Sequence, residues 1–360
     1  MDLQKTVKAG DLESVRLLLQ DPQVDPSVNH NAAIQIALRK RHWEIVYLLL
    51  QDRRVDPTFH YNETLIIAAR EGRSEIIQVL LLDDRVDPSF PMNNPIQTAS
   101  RSGHLDIVRL LLQDPRVKPS ADNNVSIRWA AEGGHLSVVS LLLQDQRVNP
   151  SAWNNEAIRL AARNGHLAIV ELLLQDERVN PADNDNDAIQ LAANEGHFAV
   201  VHRLLLDPRV DPSANHNAAI RWAATNGHSN VVRLLVDDHR VNPSANDNEA
   251  IRMAARNGHQ ETVIFFLGIP GIILSVINYY LDISRPYNIR MIAMMTGCLS
   301  EEKEDLFVWA AAIGSINLVK EFIIEGVDPS FADNSALIAA RQYGHTEIVN
   351  YLLECLGSKS

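Results

Sequence analysis

The sequence predicts an all-α solenoid, a linear stack of helix–turn–helix units, and three observations predict it. The same letters return every 31 residues: Gly72, Gly103, Gly134, Gly165, Gly196, Gly227 and Gly258 share one register line. Pro26, Pro57, Pro88, Pro119, Pro150, Pro181, Pro212 and Pro243 share another. A fixed period of this size marks stacked supersecondary units rather than a globular catalytic fold. Within each period, apolar residues recur at helical spacing on both sides of the glycine.

One unit, Asn155 to Asp185, shows how the elements arise. Asn155 is expected to cap the first helix by accepting an amide hydrogen bond two or three residues on. Ile158, Ala161 and Ala162 then share a face, and the two alanines let a neighbouring backbone approach. Gly165 ends the helix in the left-handed conformation that glycine takes at least cost. A second helix is predicted from Leu167 to Gln175; its Ile169, Val170, Leu172, Leu173 and Leu174 are apolar nearly all round and require cover on more than one side. Arg178-Val179-Asn180-Pro181 is extended, as residues before proline prefer, and Ala182 to Asp185 has turn chemistry.

Ala157-Ile158-Arg159-Leu160-Ala161-Ala162, followed by Gly165-His166 through Leu174, resembles the ankyrin repeat. The departures are systematic: Ala-Ile-Arg or Ala-Ile-Gln stands where that family has Pro-Leu-His, and Asp-x-Arg-Val-Asp/Asn-Pro replaces Gly-Ala-Asp-Val-Asn. The unit is about two residues shorter than the family's usual length of roughly 33, and the shortening falls in the finger that links repeats. The resemblance covers residues 1–267 and 306–355. It implies a solenoid whose fingers and first helices line a concave, partner-binding face, and an adaptor, inhibitor or scaffold role.

The expected organisation is nine regular repeats over 1–267, with 1–20 a polar capping repeat, a divergent apolar helical unit over 268–305, and two further repeats with a cap over 306–360. In the second repeat Arg41 occupies the glycine line, where a rearranged turn is expected because a side chain costs about 1 kcal/mol in that conformation. In the divergent unit, helices are expected at 271–282 and 286–297. Thr262 to Leu281 runs 20 residues without a charge, long enough to cross a membrane. A membrane tether through 262–281 is therefore the alternative. Gly268, Pro270, Gly271 and Asn278 interrupt the run and favour a buried unit.

Composition narrows function. A net charge of −12 in 360 residues runs against nonspecific nucleic-acid or anionic-membrane binding. Two cysteines, Cys298 and Cys355, without metal-ligand spacing, indicate a reducing, intracellular and cytoplasmic setting. The amino terminus has no apolar core of a signal peptide. Neither phosphate loop, nucleophile elbow nor zinc-protease motif appears, so no catalytic residue, cofactor or metal is expected.

Three polar ladders invite chemistry and read as structure. Eight histidines, His42, His104, His135, His166, His197, His228, His259 and His345, follow the turn; stacked repeats hold them roughly 10 Å apart, too far to converge on one metal ion. Asp52, Asp83, Asp114, Asp145, Asp176, Asp207 and Asp238 each precede an arginine by two residues, and these pairs are expected to lock adjacent repeats. Asn31, Asn62, Asn93, Asn124, Asn155, Asn186, Asn217, Asn248 and Asn334 form the capping line.

What varies between repeats points to a partner surface. Finger tips carry Phe59, Tyr61, Phe90, Met92 and Trp153 where other repeats have Ala, Asn or Asp. Trp129 and Trp222 occupy the line of Leu160, and Arg39, Arg70, Arg101 and Arg163 fall on one line at the ends of first helices, with Lys8 ahead of them. The tryptophans have core packing, and the arginines a solvated surface, as competing readings. The expectation is a monomer that binds an extended acidic protein segment with a few apolar anchors.

Overall fold

In a computed structural model describing residues 2–269, 303–312, 314–324 and 326–357, consecutive repeats within one compact unit pack first helix on first helix and second on second. The chain divides into two compact units, Met1–Asp183 and Asn184–Ser360.

The first unit contains α1 (Leu3–Ala9), α2 (Leu12–Leu19), α3 (Val28–Lys40), α4 (Trp43–Leu50), α5 (Phe59–Arg70), α6 (Ser74–Leu81), α7 (Asn94–Arg101), α8 (Leu105–Gln113), α9 (Ala121–Glu132), α10 (Leu136–Leu143), α11 (Ala152–Arg163) and α12 (Leu167–Leu174). From the boundary on come α13 (Asp183–Asn194), α14 (Phe198–Leu205), α15 (Ala214–Thr225), α16 (Ser229–Val236), α17 (Ala245–Arg256) and α18 (Gln260–Leu267). The last four are α19 (Lys303–Ala312), α20 (Ile316–Ile324), α21 (Phe331–Gln342) and α22 (Thr346–Gly357). Odd-numbered helices are the first of each repeat. Ile158, Ala161, Ala162, Ile169, Val170 and Leu173 are all buried, so this repeat contributes small and branched residues to the core of its unit. The helices expected at 271–282 and 286–297 lie outside the described residues. No helix among the described residues is long and apolar enough to cross a membrane, and α18 ends at Leu267.

The asparagine line corrects the expectation of a local cap. Asn31, Asn124, Asn155, Asn217 and Asn248 each end a run of three residues with positive φ, such as Asn246, Asp247 and Asn248 at 54°, 56° and 59°. This is one turn of left-handed helix, closed by the asparagine N–H donating to the serine carbonyl four residues back, as from Asn155 to Ser151 at 3.0 Å. Asn, Asp and His dominate these positions because short polar side chains tolerate the left-handed region best. Asn93, which stands at the N-cap of α7, makes no side-chain cap bond to its own helix. The asparagine Oδ1 accepts the backbone N–H of the next finger, 25 residues on: Asn31 from Asp56 at 2.9 Å, Asn93 from Lys118 at 2.6 Å, Asn155 from Asn180 at 2.8 Å and Asn217 from Asn242 at 2.7 Å.

The other two ladders also join repeats. The Nε2 of His104, His135, His166, His228, His259 and His345 meets a carbonyl at the end of the preceding first helix, His104 at Arg70 O and His228 at Asn194 O, both 2.9 Å. Each ring lies on the preceding repeat's glycine, and a Cβ built on Gly10, Gly103, Gly196 or Gly314 would stand 2.8, 2.4, 2.5 or 2.5 Å from that ring. Glycine is thus required twice, by φ near 77° and by the histidine. The Asp–Arg pairs do not bridge repeats as expected. Asp52 and Arg54 pair within one finger at 2.6 Å, and so do Asp145 and Arg147. The bridge is the other guanidinium nitrogen, which donates to the preceding finger: Arg54 to Val24 O at 2.8 Å, Arg178 to Val148 O at 2.9 Å.

Arg41 corrects a further expectation. It takes the left-handed conformation, φ 59° and ψ 34°, without rearranging the turn. What changes is its neighbour: Arg73 stands where a histidine ring would meet the Arg41 Cβ, and its guanidinium lies 4.8 Å from the Trp43 ring centroid.

Candidate functional site

The fingers of the first unit carry the exposed apolar side chains that the sequence singled out. Tyr61 is 72% exposed, Met92 76%, Trp153 60% and Phe90 47%, while Phe59 is half-buried with its ring stacked 4.1 Å from that of His60. Adjacent fingers bring Tyr61 and Phe90 to 5.9 Å between ring centroids. Tyr61, Met92 and Trp153 have φ of 59°, 51° and 56°. Bulky side chains are outliers in that region, where the equivalent residues of other fingers are Asn123, Asn184, Asp185 and Asp247.

Arg39, Arg70, Arg101 and Arg163 are exposed at the ends of α3, α5, α7 and α11. The Arg101 guanidinium lies 5.0 Å from the Trp129 ring centroid, so arginine line and tryptophan line meet there. Trp129 and Trp222 are both half-buried; Trp222 belongs to α15 in the second unit.

Trp153 is met by a residue that sequence reasoning missed. The Arg128 guanidinium lies 4.8 Å from its ring centroid, pairs with Glu156, and donates to the carbonyls of Asp122 and Asn123, both at 3.1 Å. This explains the chain's departure from the family pattern after the alanine. A long donor on that line grips the left-handed turn of its own finger: Gln35 holds His30 O at 2.6 Å, Gln97 holds Met92 O at 2.8 Å, and Arg252 holds Asp247 O at 3.0 Å and Asn246 O at 3.1 Å. The signal was the run of Gln and Arg on one register line, legible only once the carbonyls were seen. Also unforeseen is a groove on the second-helix side of the first three repeats, lined by Trp43, Tyr47, Leu48, Val79 and Leu82.

The polar ladders hold the fingers and join repeats. The carboxyls of Asp52, Asp83, Asp114, Asp145, Asp176, Asp207 and Asp238 sit below the ordinary aspartate value, first because the arginine two residues on donates to them. Among the described residues no group of His, Cys, Asp and Glu is placed to hold a metal ion. Repeated identical environments do not set up the unequal carboxyl pair of acid–base catalysis.

Helix pairs joined by glycine turns and fingers, stacked first helix on first and second on second, define a helical-repeat interaction module. A family model described as ankyrin repeats in three copies matches residues 3–91, 65–154, 96–185, 127–216 and 189–276, and one for a single ankyrin repeat matches 332–359. The chain belongs to the ankyrin-repeat family. No curated protein matches it. Ankyrin repeats are protein–protein interaction modules, so a protein partner follows at that level.

Proposed function

We propose that this protein is a non-catalytic scaffold or adaptor that holds a partner protein against its fingers and the ends of its first helices. One observation carries the reading. Tyr61, Met92 and Trp153 keep bulky, exposed side chains at left-handed positions where Asn or Asp would be more stable. Strain retained on a surface that packing does not need is the mark of a binding surface, and Tyr and Trp are the usual interface anchors. The arginine line at Arg39, Arg70, Arg101 and Arg163 favours an acidic partner segment, laid along repeats two to six with its apolar residues on the aromatic fingers.

The test is capture with the full chain, with fold-neutral variants as controls. Tyr61→Asn and Trp153→Asn install residues that other fingers already carry at these positions. Both should lose the captured partner while the far-ultraviolet spectrum stays unchanged. Retention of the partner by both, with loss on changing Tyr47 or Leu82, would move the site to the second helices.

A further inference from the structure

Two fingers among the described residues lack the donor that the others have. On the line of Gln35, Gln97, Arg128, Arg159, Gln190, Arg221 and Arg252, the third repeat has Ile66 and the last has Ile338; of the two turns, that of the third repeat carries an exposed aromatic ring, Tyr61. In five of the donor-bearing repeats the long side chain reaches the carbonyls of its own left-handed turn in the distances given above, or Gln190 to Asp185 O at 2.5 Å. Arg221 does the same with Asn215 O at 3.2 Å. In the third repeat the corresponding carbonyls belong to His60 and Tyr61, whose φ of 50° and 59° give the same turn. A hydrocarbon side chain has nothing to donate to them.

The turn is also unusual beneath its surface. Asn62 is 3% exposed, and its amide is reversed relative to the other clamps. Its Nδ2 donates to Asp87 O at 3.0 Å and Phe90 O at 2.9 Å, which fixes the orientation, because two carbonyls there demand a donor. Oδ1 is left buried with no partner. Over the turn lies a hollow lined by His60, Tyr61, Glu63, Ile66, Arg70 and Pro91. A second hollow that shares His60 and Tyr61 with the first, and reaches Asn62, is flanked by Asp56 and Asp87. The surroundings carry more acids than bases, with Glu63, Asp56 and Asp87 against Arg70 and Arg85, and an exposed aromatic ring stands at the edge.

We propose that the turn from Phe59 to Asn62 is a guanidinium subsite that the chain leaves for its partner: an arginine of the bound protein takes the place that Arg128 fills in the fifth repeat. The inference rests on the scaffold reading above and adds one residue type to the partner. Arg128 supplies the template for the two carbonyl acceptors, which at the third repeat are His60 O and Tyr61 O. The acid and ring around Arg128, Glu156 and Trp153, come from the following repeat, where the third repeat's counterparts are Asn94 and Pro91; here Glu63 and Tyr61 of the same repeat line the hollow instead. Fixed donors in a planar fork suit a pair of carbonyls better than a single ammonium does. The partner segment is then acidic toward the helix-end arginines and basic at the second finger.

The test needs no knowledge of the partner. N-acetyl-arginine amide is titrated into the full chain, with methyl resonances of isoleucine and ring resonances of tyrosine followed by NMR. Saturable shifts at Ile66 and Tyr61 in the millimolar range are expected, with none from N-acetyl-norleucine amide. Ile66→Arg places the chain's own guanidinium on the turn, as Arg128 does, and should weaken binding of the probe by about tenfold or more. The same substitution should raise the thermal midpoint, which shows that the variant is folded. Absence of shifts at these residues, or binding unaltered by Ile66→Arg, overturns the subsite. If Ile66→Arg leaves the captured partner bound while Tyr61→Asn releases it, the subsite falls and the scaffold reading stands.

Discussion

The carboxamide oxygen of Asn124 accepts the backbone N–H of Asn149 at 2.7 Å, one finger further along the stack. Asn124 is buried and is the last residue of its left-handed turn, φ 59°. One side chain thus permits the turn and ties two repeats. Asn124→Ala removes both functions: a buried amide is left unpaired, at about 1–3 kcal/mol, and alanine takes a left-handed position, at about 1–2 kcal/mol. Urea unfolding should show a loss in that combined range. A loss below about 0.5 kcal/mol would mean that water replaces the bond without penalty.

Arg41 and Arg73 make a second testable pair. Glycine and histidine meet at seven other junctions, and a Cβ at the glycine would crowd the ring, to 2.7 Å in the case of Gly134 and His166. Arg73→His alone should therefore destabilise, because Arg41 keeps its Cβ. Arg41→Gly with Arg73→His restores the common junction and should recover stability. The coupling free energy from the double-mutant cycle should be at least about 1 kcal/mol, and additivity of the two changes would show that the junction tolerates the ring.

Stability and binding should move in opposite directions at the fingers. Trp153→Asn replaces an aromatic residue at φ 56° by one that favours this region. The thermal midpoint should rise, by about 0.5–1 kcal/mol equivalent, less whatever the contact between Arg128 and the ring contributes. Partner dissociation should become faster. Arg70→Glu with Arg101→Glu should instead slow association, with an effect that fades at high salt. If Trp153→Asn lowers stability and leaves dissociation unchanged, Trp153 is a packing residue.

Acid should loosen the fingers before the helices. Each ladder aspartate has its native value lowered by the arginine bonded to it, as at Asp145 and Asp176. A group with a lowered native value stabilises the fold fully above its unfolded value, near pH 4, and loses that contribution as pH falls through the native value. Urea midpoints should be flat from about pH 7 to about pH 5 and drop below about pH 4. Asp145→Asn with Asp176→Asn should shrink that drop, and an undiminished drop would assign acid sensitivity to other groups.

The period, the helix pairs and the glycine turns were determined by sequence, since each rests on local chemistry: apolar spacing sets a helix face, and positive φ selects glycine at Gly165 or Asn at Asn155. The exposed apolar fingers were legible too, because Tyr61, Phe90, Met92 and Trp153 break a repeated pattern. Tertiary structure alone decided where the ladders' hydrogen bonds go. Asn124 reaches a backbone amide in another finger, His104 a backbone carbonyl, and Arg54 the carbonyl of Val24. Backbone groups are identical at every residue, so no letter in the sequence names them as partners. For the same reason Ile66 looked like one more apolar residue on a helix. Only the three-dimensional turn, gripped in the adjacent repeats by Gln35 and Gln97, shows that a donor is missing there.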